Sequence, residues 1–160
     1  MQEKLFLPAQ TSLCMPSLLW FDDTDGSKVW DTYTGETLQT FSHGHIVRSA
    51  DISASQSLVA TGGAEKLVRV YDLKHDKTPL EIGSHNGTIK SVVWDRSCTG
   101  EKTIVTSGDD KTIIWWDGRS PKASATFTAD EMITSMEQSI DRKNLVVTAG
   151  RSVLVFNAST

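Results

Sequence analysis

Apolar and β-branched residues come in short segments along this chain, and turn-forming residues separate the segments. The clearest case is the run Thr103–Thr106, followed by the connection Ser107–Lys111 and a second run, Thr112–Asp117. Two β-rich segments joined by a tight connection of glycine and aspartate predict a β-hairpin. The second run is apolar at adjacent positions, which indicates that both of its faces are covered.

The same pattern extends over most of the chain and predicts an all-β protein. No segment has the length and periodicity of a helix, and none approaches the roughly 20 apolar residues of a membrane-spanning helix. Pro79 has no backbone donor, so its segment is expected at the edge of a sheet. The predicted strands are, in chain order, 27–31, 36–41, 47–52, 57–61, 67–72, 78–82, 89–94, 103–107, 112–117, 123–127, 133–139, 145–148 and 152–157.

A repeat underlies these strands. From one segment end to the next the spacings are 41 (31 to 72), 45 (72 to 117) and 40 (117 to 157). A period of roughly 40–45 residues that ends in Trp–Asp is typical of a β-propeller blade. The sequence therefore predicts a propeller region at 24–160 and a segment, 1–23, outside the repeat. The four segments end in Trp30–Asp31, Tyr71–Asp72, Trp116–Asp117 and Phe156–Asn157.

Composition narrows the class of protein. The net charge of −4 gives no electrostatic argument for binding nucleic acid or an anionic membrane. Cys14 and Cys98 are the only cysteines, too few for a disulfide scaffold or a metal cluster. A reducing compartment, the cytoplasm or the nucleus, is therefore expected.

One set of polar residues resembles a motif of the WD-repeat family. His85 precedes one predicted strand, Thr106 ends the next, Asp110 lies in the hairpin turn and Trp116 lies on the third strand. Blades of this family often carry a hydrogen-bonded tetrad of His, Ser or Thr, Asp and Trp in this order. The resemblance implies a structural network that fixes the loops of a blade, which works only if every member is satisfied.

The neighbouring repeats keep less of this tetrad. The preceding repeat has His43, Thr61 and Tyr71, with Glu65 in place of aspartate, whose extra methylene is expected to lengthen or break the link to histidine. The last repeat departs from the motif, with Ala129 for histidine, Gly150 for aspartate and Phe156 for tryptophan. Its core is expected to depend on packing alone.

Two other interpretations of these residues are less favoured. A histidine, a hydroxyl and an aspartate also form a hydrolase triad, but that chemistry needs an exposed nucleophile, and no Gly-x-Ser-x-Gly elbow is present. His43 and His45 could ligate a metal, but no third ligand lies at a familiar zinc spacing. We therefore expect neither an enzyme nor a cofactor.

More specific motifs resemble one branch of the WD-repeat family, namely His43–Arg48, Ala60–Gly63, Lys66–Leu73 and Gly150–Val153. The resemblance implies a protein-binding scaffold of a multi-protein ribonucleoprotein-assembly complex. Members of this branch work with the survival-of-motor-neuron complex in small nuclear ribonucleoprotein assembly and mRNA splicing, and restrain transforming growth factor beta receptor signalling. The alternative branch is the WD-repeat subunit I of translation initiation factor 3.

The resemblance also implies seven blades, as expected for a closed propeller of this family. The chain has repeats for about three to four of them, so we expect an incomplete propeller with open edges. The last strand would then present Val153, Leu154, Val155 and Phe156 as an apolar, uncharged edge. Such edges pair with other chains, so self-association through this edge is expected.

Any partner is expected to bind the loop face, which strand counting places at the connections between consecutive repeats and at the hairpin turns within them. Loops on a rigid scaffold are where binding usually resides. The candidate residues are His45, Glu65, Lys66, Asn86, Asp109 and Lys111.

Overall fold

A computed structural model describes residues 17–22, 26–31, 34–75, 78–97 and 103–157 of the chain. These residues form strands and no helix, which confirms the predicted all-β class. The strands are β1 (Ser17–Asp22), β2 (Gly26–Asp31), β3 (Thr37–Phe41), β4 (Val47–Ile52), β5 (Leu58–Gly63), β6 (Leu67–Asp72), β7 (Leu80–Ser84), β8 (Ile89–Trp94), β9 (Thr103–Gly108), β10 (Thr112–Asp117), β11 (Ala123–Thr128), β12 (Ile133–Gln138), β13 (Asn144–Ala149) and β14 (Ser152–Asn157).

The strands form four antiparallel sheets in which each strand pairs with its neighbour in sequence. The first sheet is β1–β2–β3, the second β4–β5–β6–β7, the third β8–β9–β10–β11 and the fourth β12–β13–β14. Two four-stranded sheets lie between two three-stranded ones. This succession confirms the prediction of an incomplete propeller.

The first sheet begins earlier than the sequence predicts. Residues 1–23 were expected to lie outside the repeat, but β1 (Ser17–Asp22) pairs antiparallel with β2 along its whole length. This part of the segment therefore belongs to the first sheet, because an apolar strand can pair without carrying the repeat motif. Residues 1–16 and 23 lie outside the described residues.

The second, third and fourth sheets share a backbone irregularity. A β-bulge interrupts the first strand of each, at Arg48, Lys90 and Thr134. A bulge adds a residue to one strand and increases its twist. Because the three bulges lie at corresponding positions, residues of the three sheets can be compared one by one.

The sheets pack face to face, and the core lies between them. Strand β8 packs against β4 and β5, and β12 packs against β8 and β9. Valine and isoleucine on the facing strands fill both junctions, since β-branched side chains pack well on a pleated surface. The buried residues at the third and fourth sheets include Val93, Val105, Ile113, Ile133, Met136, Leu145 and Val147.

An outer-strand residue of each sheet packs against the aromatic residue that ends the third strand of the next sheet. Phe41 stacks on Tyr71 with ring centroids 4.2 Å apart, and Phe127 meets Phe156 at 5.1 Å. Gly83 takes the corresponding place opposite Trp116, and a Cβ built on Gly83 would overlap the indole ring. The larger indole therefore needs glycine as its neighbour.

Polar contacts join the ends of the first strands. The Asp51 carboxylate accepts a hydrogen bond from the Trp94 N–H at 2.8 Å and pairs with the Arg96 guanidinium at 2.6 Å. Burial raises the pKa of Asp51, against the opposing effects of Arg96 and the Trp94 N–H. The Arg96 N–H donates in turn to the Gln138 side chain at 3.0 Å. These contacts link the second, third and fourth sheets.

Candidate functional site

The hairpin turns of the second and third sheets have the same closed geometry. Lys66 and Lys111 adopt left-handed backbone conformations, with φ values of 66° and 63°. Their N–H groups donate to the carbonyls of Gly63 and Gly108 at 3.1 and 3.2 Å. The turn thereby places the preceding residue, Glu65 or Asp110, against the loop that enters the same sheet.

The third sheet contains the complete tetrad as a connected hydrogen-bond network. Trp116 donates its indole N–H to the Thr106 hydroxyl at 2.7 Å, and the same hydroxyl lies 2.7 Å from His85 Nε2. His85 Nδ1 lies 3.0 Å from the Asp110 carboxylate. His85, Thr106 and Trp116 are all buried.

The direction of the hydrogen bonds follows from this order. Because Thr106 accepts from Trp116, its hydroxyl proton can be donated to His85 Nε2, and a neutral imidazole then donates Nδ1–H to Asp110. Asp110 also accepts the Asn86 N–H at 2.8 Å and the Thr112 hydroxyl at 2.8 Å. Burial opposes the charge on Asp110, but the bonds from Thr112, His85 and Asn86 outweigh it and lower its pKa to about 2.

We expect Asp110→Ala to lower the free energy of unfolding by about 1–3 kcal/mol, because it leaves buried partners unsatisfied. A depressed carboxyl pKa stabilises the fold above the ordinary value of 3.8, and this stabilisation is lost as the pH falls towards about 2. The stability difference between wild type and variant should therefore narrow over that interval. Urea melts at several pH values measure it.

The matched control for this prediction is Asp109→Ala in the same turn. Asp109 forms an ion pair with Lys90 at 3.2 Å, with both side chains about one-third exposed. Such a pair contributes little, so this variant should lose less than about 1 kcal/mol. Equal losses in the two variants would contradict the structural role of the tetrad.

The second sheet holds a modified version of the network. His43 Nε2 lies 3.4 Å from the Tyr71 hydroxyl, next to the buried Thr61. The Glu65 carboxylate accepts the backbone N–H groups of Gly44 and His45, and it pairs with the Arg69 guanidinium. Glutamate therefore keeps the contact with the entering loop that Asp110 makes through Asn86.

The pKa values of His43 and Glu65 in the second sheet both depend on the nearby Arg69. Burial lowers the pKa of His43, Arg69 lowers it further, and Glu65 opposes both. Burial alone would raise the pKa of Glu65, but Arg69 and the N–H donors outweigh it and hold the pKa below its usual value. His43 therefore favours the neutral form beside an ion pair.

The fourth sheet replaces the network by packing and one additional carboxylate. Ala129 and Val147 are buried where histidine and threonine stand in the third sheet, and Phe156 packs against Trp115. The side chain of Glu131 occupies the space above Gly150 and accepts the Arg151 N–H at 3.2 Å. The sequence motif did not reveal Glu131, because it comes from the entering loop instead of the hairpin.

The geometry of the tetrad does not suit catalysis. Thr106 is fully buried, and its hydroxyl lies within hydrogen-bonding distance of both Trp116 and His85, so a substrate cannot approach it as a nucleophile. In the part of the chain that the structure describes, no three His, Cys, Asp or Glu residues are grouped to hold a metal ion. No described helix is long and apolar enough to cross a membrane.

The six residues predicted for the loop face lie at one end of the sheets. His45, Lys66, Asn86 and Lys111 are exposed, whereas Glu65 and Asp109 are half-buried. The Nζ groups of Lys66 and Lys111 donate to the carbonyls of Asn86 and Asp130 at 3.0 and 2.8 Å. These lysines therefore join loops of adjacent sheets, and binding of a partner by this face stays a prediction.

The same face carries two exposed apolar residues and one cation that were not among the six predicted binding residues. Ile46 and Met132 precede β4 and β12 and are 44% and 56% exposed. Arg48, at the bulge of β4, is exposed, and its side chain has no hydrogen bond or ion pair with the described residues. Arg48 lies inside a predicted strand, and Ile46 and Met132 directly precede predicted strands, so none of the three was assigned to the loop face.

Comparison with known families agrees with this geometry. Residues 35–72 and 77–117 match the WD domain, G-beta repeat. The chain is therefore a WD-repeat protein. It is similar to the serine-threonine kinase receptor-associated protein of Mus musculus, with 37% identity over 133 residues, which is 82% of this chain and 37% of that protein.

Two further relatives match the chain at different levels of sequence identity. The serine-threonine kinase receptor-associated protein of Dictyostelium discoideum is 40% identical over 134 residues, 83% of this chain and 45% of that protein. The ribosome biogenesis protein WDR12 homolog of Nematostella vectensis is 28% identical over 116 residues, 66% of this chain and 27% of that protein. The chain thus spans less than half the length of these curated relatives.

Proposed function

We propose that this chain is a non-catalytic scaffold that binds protein partners through the loop face. The observation that carries the proposal is the exposure of Ile46 and Met132 on an otherwise polar face. Apolar side chains rimmed by polar loops are typical of protein-binding surfaces. The backbone carbonyls of Ile46 and Met132 accept hydrogen bonds from the hairpin turns at Ala64 and Gly150, which anchors both residues to the sheets.

The partner chemistry follows from the residues around this pair. Arg48 lies two residues after Ile46 and has no side-chain hydrogen bond or ion pair with the described residues, so a segment that combines an apolar anchor with a carboxylate would complement this part of the face. Such a segment needs no pocket, because loops presented on a rigid sheet can hold it across adjacent repeats.

The biological setting of the proposal comes from the similarity to the serine-threonine kinase receptor-associated proteins. We propose a role with the survival-of-motor-neuron complex in small nuclear ribonucleoprotein assembly and mRNA splicing, in the cytoplasm and the nucleus. A further part of the proposal is that the chain associates with serine-threonine kinase receptors and restrains transforming growth factor beta signalling. The similarity supports these roles, and the alternative is that of subunit I of translation initiation factor 3.

The test is a binding measurement with purified survival-of-motor-neuron complex and, in parallel, purified translation initiation factor 3. The variant Ile46→Ser/Met132→Ser should weaken binding at least about tenfold, because a few central apolar residues carry most of an interface's binding energy. The control Leu38→Ser/Leu80→Ser removes side chains that are 59% and 40% exposed on outer strands, and it should bind as wild type does.

The outcomes separate the candidate functions. Binding of the first complex that depends on Ile46 and Met132 supports both the loop face and the role with the survival-of-motor-neuron complex. Binding of the translation factor instead would move the chain to the alternative branch. Binding that is equally strong in wild type and both variants would place the contact away from the loop face and contradict that part of the proposal.

A further inference from the structure

The loop between β7 and β8 contains the one Asn–Gly pair of the sequence, Asn86–Gly87. Asparagine followed by glycine is especially prone to deamidation, because glycine has no side chain to hinder the attack of its own nitrogen on the asparagine side chain. Asn86 is exposed, so water can reach its side-chain amide. The two other asparagines of the sequence precede larger residues.

The backbone of this pair is fixed on either side and has few bonds between. Backbone hydrogen bonds hold the His85 N–H and the Thr88 carbonyl, with lengths of 2.8 and 2.9 Å. Within the described residues, the Gly87 N–H donates no hydrogen bond. The hydrogen bonds of Asn86 to those residues involve its backbone N–H and carbonyl, and none involves its side-chain amide. The nitrogen that would attack and the carbon that it would attack therefore have no competing partners there.

The fold requires glycine at position 87. A Cβ built on Gly87 would lie 2.7 Å from the backbone nitrogen of Asp110, in the neighbouring hairpin turn. A side chain at this place would push the turn away from the loop, because packed atoms have no room to give. The residue that makes Asn86 reactive therefore cannot be exchanged without disturbing the turn that holds Asp110.

Lys66 contacts the peptide group that would react. Its Nζ donates to the Asn86 carbonyl at 3.0 Å, and this carbonyl belongs to the same peptide group as the Gly87 nitrogen. A positive charge beside a titrating group favours the deprotonated form of that group. The Gly87 nitrogen must lose its proton before it can attack, so the contact with Lys66 assists this step.

We propose that Asn86 deamidates spontaneously in the folded chain. The Gly87 nitrogen bonds to Asn86 Cγ and closes a five-membered succinimide ring, while the Cγ–Nδ2 bond breaks and ammonia leaves with the proton that the nitrogen gave up. Water then hydrolyses one of the two ring carbonyls, so position 86 becomes aspartate or isoaspartate. Ring closure is fast because the reacting groups belong to adjacent residues. The reaction needs only water, so it does not depend on the proposed function.

The two products fit the loop differently. Asp130 occupies the corresponding position in the fourth sheet, and its carbonyl accepts a hydrogen bond from the Lys111 Nζ at 2.8 Å. Aspartate at position 86 is therefore compatible with such a loop, and it adds a negative charge to the loop face. Isoaspartate adds a methylene group to the backbone between two fixed points, so it should displace the Asn86 N–H from the Asp110 carboxylate, which it contacts at 2.8 Å.

The test is incubation of the folded chain at several alkaline pH values, followed by peptide mapping with mass spectrometry. The peptide with Asn86 should gain the mass difference between an amide and a carboxylic acid, faster at higher pH, and it should become a substrate for an isoaspartyl methyltransferase. Asn144 in the same samples is the matched control, because the side chain of Leu145 follows it in β13 and hinders ring closure. Its conversion should be at least about tenfold slower.

Three variants separate the chemistry from the fold. Asn86→Gln keeps an amide, but its longer side chain would need a six-membered ring, so the conversion should be lost. Lys66→Gln removes the positive charge from the Asn86 carbonyl and should slow the conversion at least about twofold. Lys111→Gln removes the corresponding contact at the next junction, where it does not reach Asn86, and should leave the rate unchanged.

The proposal would be overturned if Asn86 converted no faster than Asn144, or if it converted only after urea had unfolded the chain. A rate in Lys66→Gln that equals or exceeds that of wild type would overturn the contribution of Lys66. The comparison of Asn86 with Asn144 uses wild type alone, so it remains decisive if a variant fails to fold by circular dichroism.

Discussion

Gly83→Ala is expected to lower the free energy of unfolding by about 2–4 kcal/mol, a large effect for one methyl group. Overpacking a filled site costs about 1–3 kcal/mol, and displacement of the Trp116 indole from Thr106 adds the loss of a buried hydrogen bond of about 1 kcal/mol. The new Cβ would overlap the rigid ring, which has Thr106 as its partner on β9. Urea melts followed by tryptophan fluorescence measure the loss.

The control and the rescue are both available in the chain. Ser84→Ala lies next to Gly83 at an exposed position of β7 and should change stability by less than about 0.5 kcal/mol. The variant Trp116→Phe places the smaller ring that is found in the Phe127–Phe156 contact opposite position 83. In this variant, Gly83→Ala should lower the free energy of unfolding by less than it does in wild type. If the losses of Gly83→Ala and Trp116→Phe simply added in the double variant, the added methyl group would not be clashing with the indole ring, and the prediction would be contradicted.

Asp51→Ala is expected to cost about 3 kcal/mol, because removing one partner of a largely buried ion pair leaves the other unpaired. The backbone N–H of Trp94 would lose its acceptor, and the Arg96 guanidinium would keep the Ile52 carbonyl but lose its counter-charge. Asp51→Asn keeps an oxygen that can accept these bonds and should cost less. Thermal melts with circular dichroism compare the two variants.

A double variant tests whether the loss comes from the pair itself. At the next junction, Val93 and Ile140 occupy the positions that correspond to Asp51 and Arg96. Asp51→Val/Arg96→Ile takes its residue types from these positions, removes both charges together and should be less destabilised than the sum of its single variants, since residues in contact couple. If the stability losses of the two single variants simply added, the effect of Asp51 would come from contacts other than the one with Arg96.

The strands could be predicted because the need to bury apolar side chains determines which residue types occur at each strand position. The predicted bounds 47–52, 67–72, 89–94, 112–117 and 152–157 coincide with β4, β6, β8, β10 and β14. Each of these strands has apolar residues on both faces or ends in the repeat motif. β1 carries no repeat motif, so its place beside β2 could be anticipated only from the apolar, strand-like residues Leu18–Phe21.

The candidate site could be predicted from the sequence where a contact depends on residue types within one repeat. His85, Thr106, Asp110 and Trp116 were found because their order along one repeat matches the tetrad of the WD-repeat family. Contacts between sheets could not be found in this way, and Asp51 and Arg96, although they bond directly, belong to different repeats. Their pairing depends on how two sheets stack, which one sequence does not encode in its periodicity.

The contacts of Lys111 explain how the fourth sheet stays aligned with the third although it lacks the tetrad. The carbonyl of Lys111 accepts the backbone N–H of Ala129, as that of Lys66 accepts the N–H of His85. Every residue except proline supplies such an N–H, so substituting the histidine leaves the join intact. Mutations can therefore accumulate inside a blade while successive blades remain aligned, which gives a repeat chain tolerance to sequence drift.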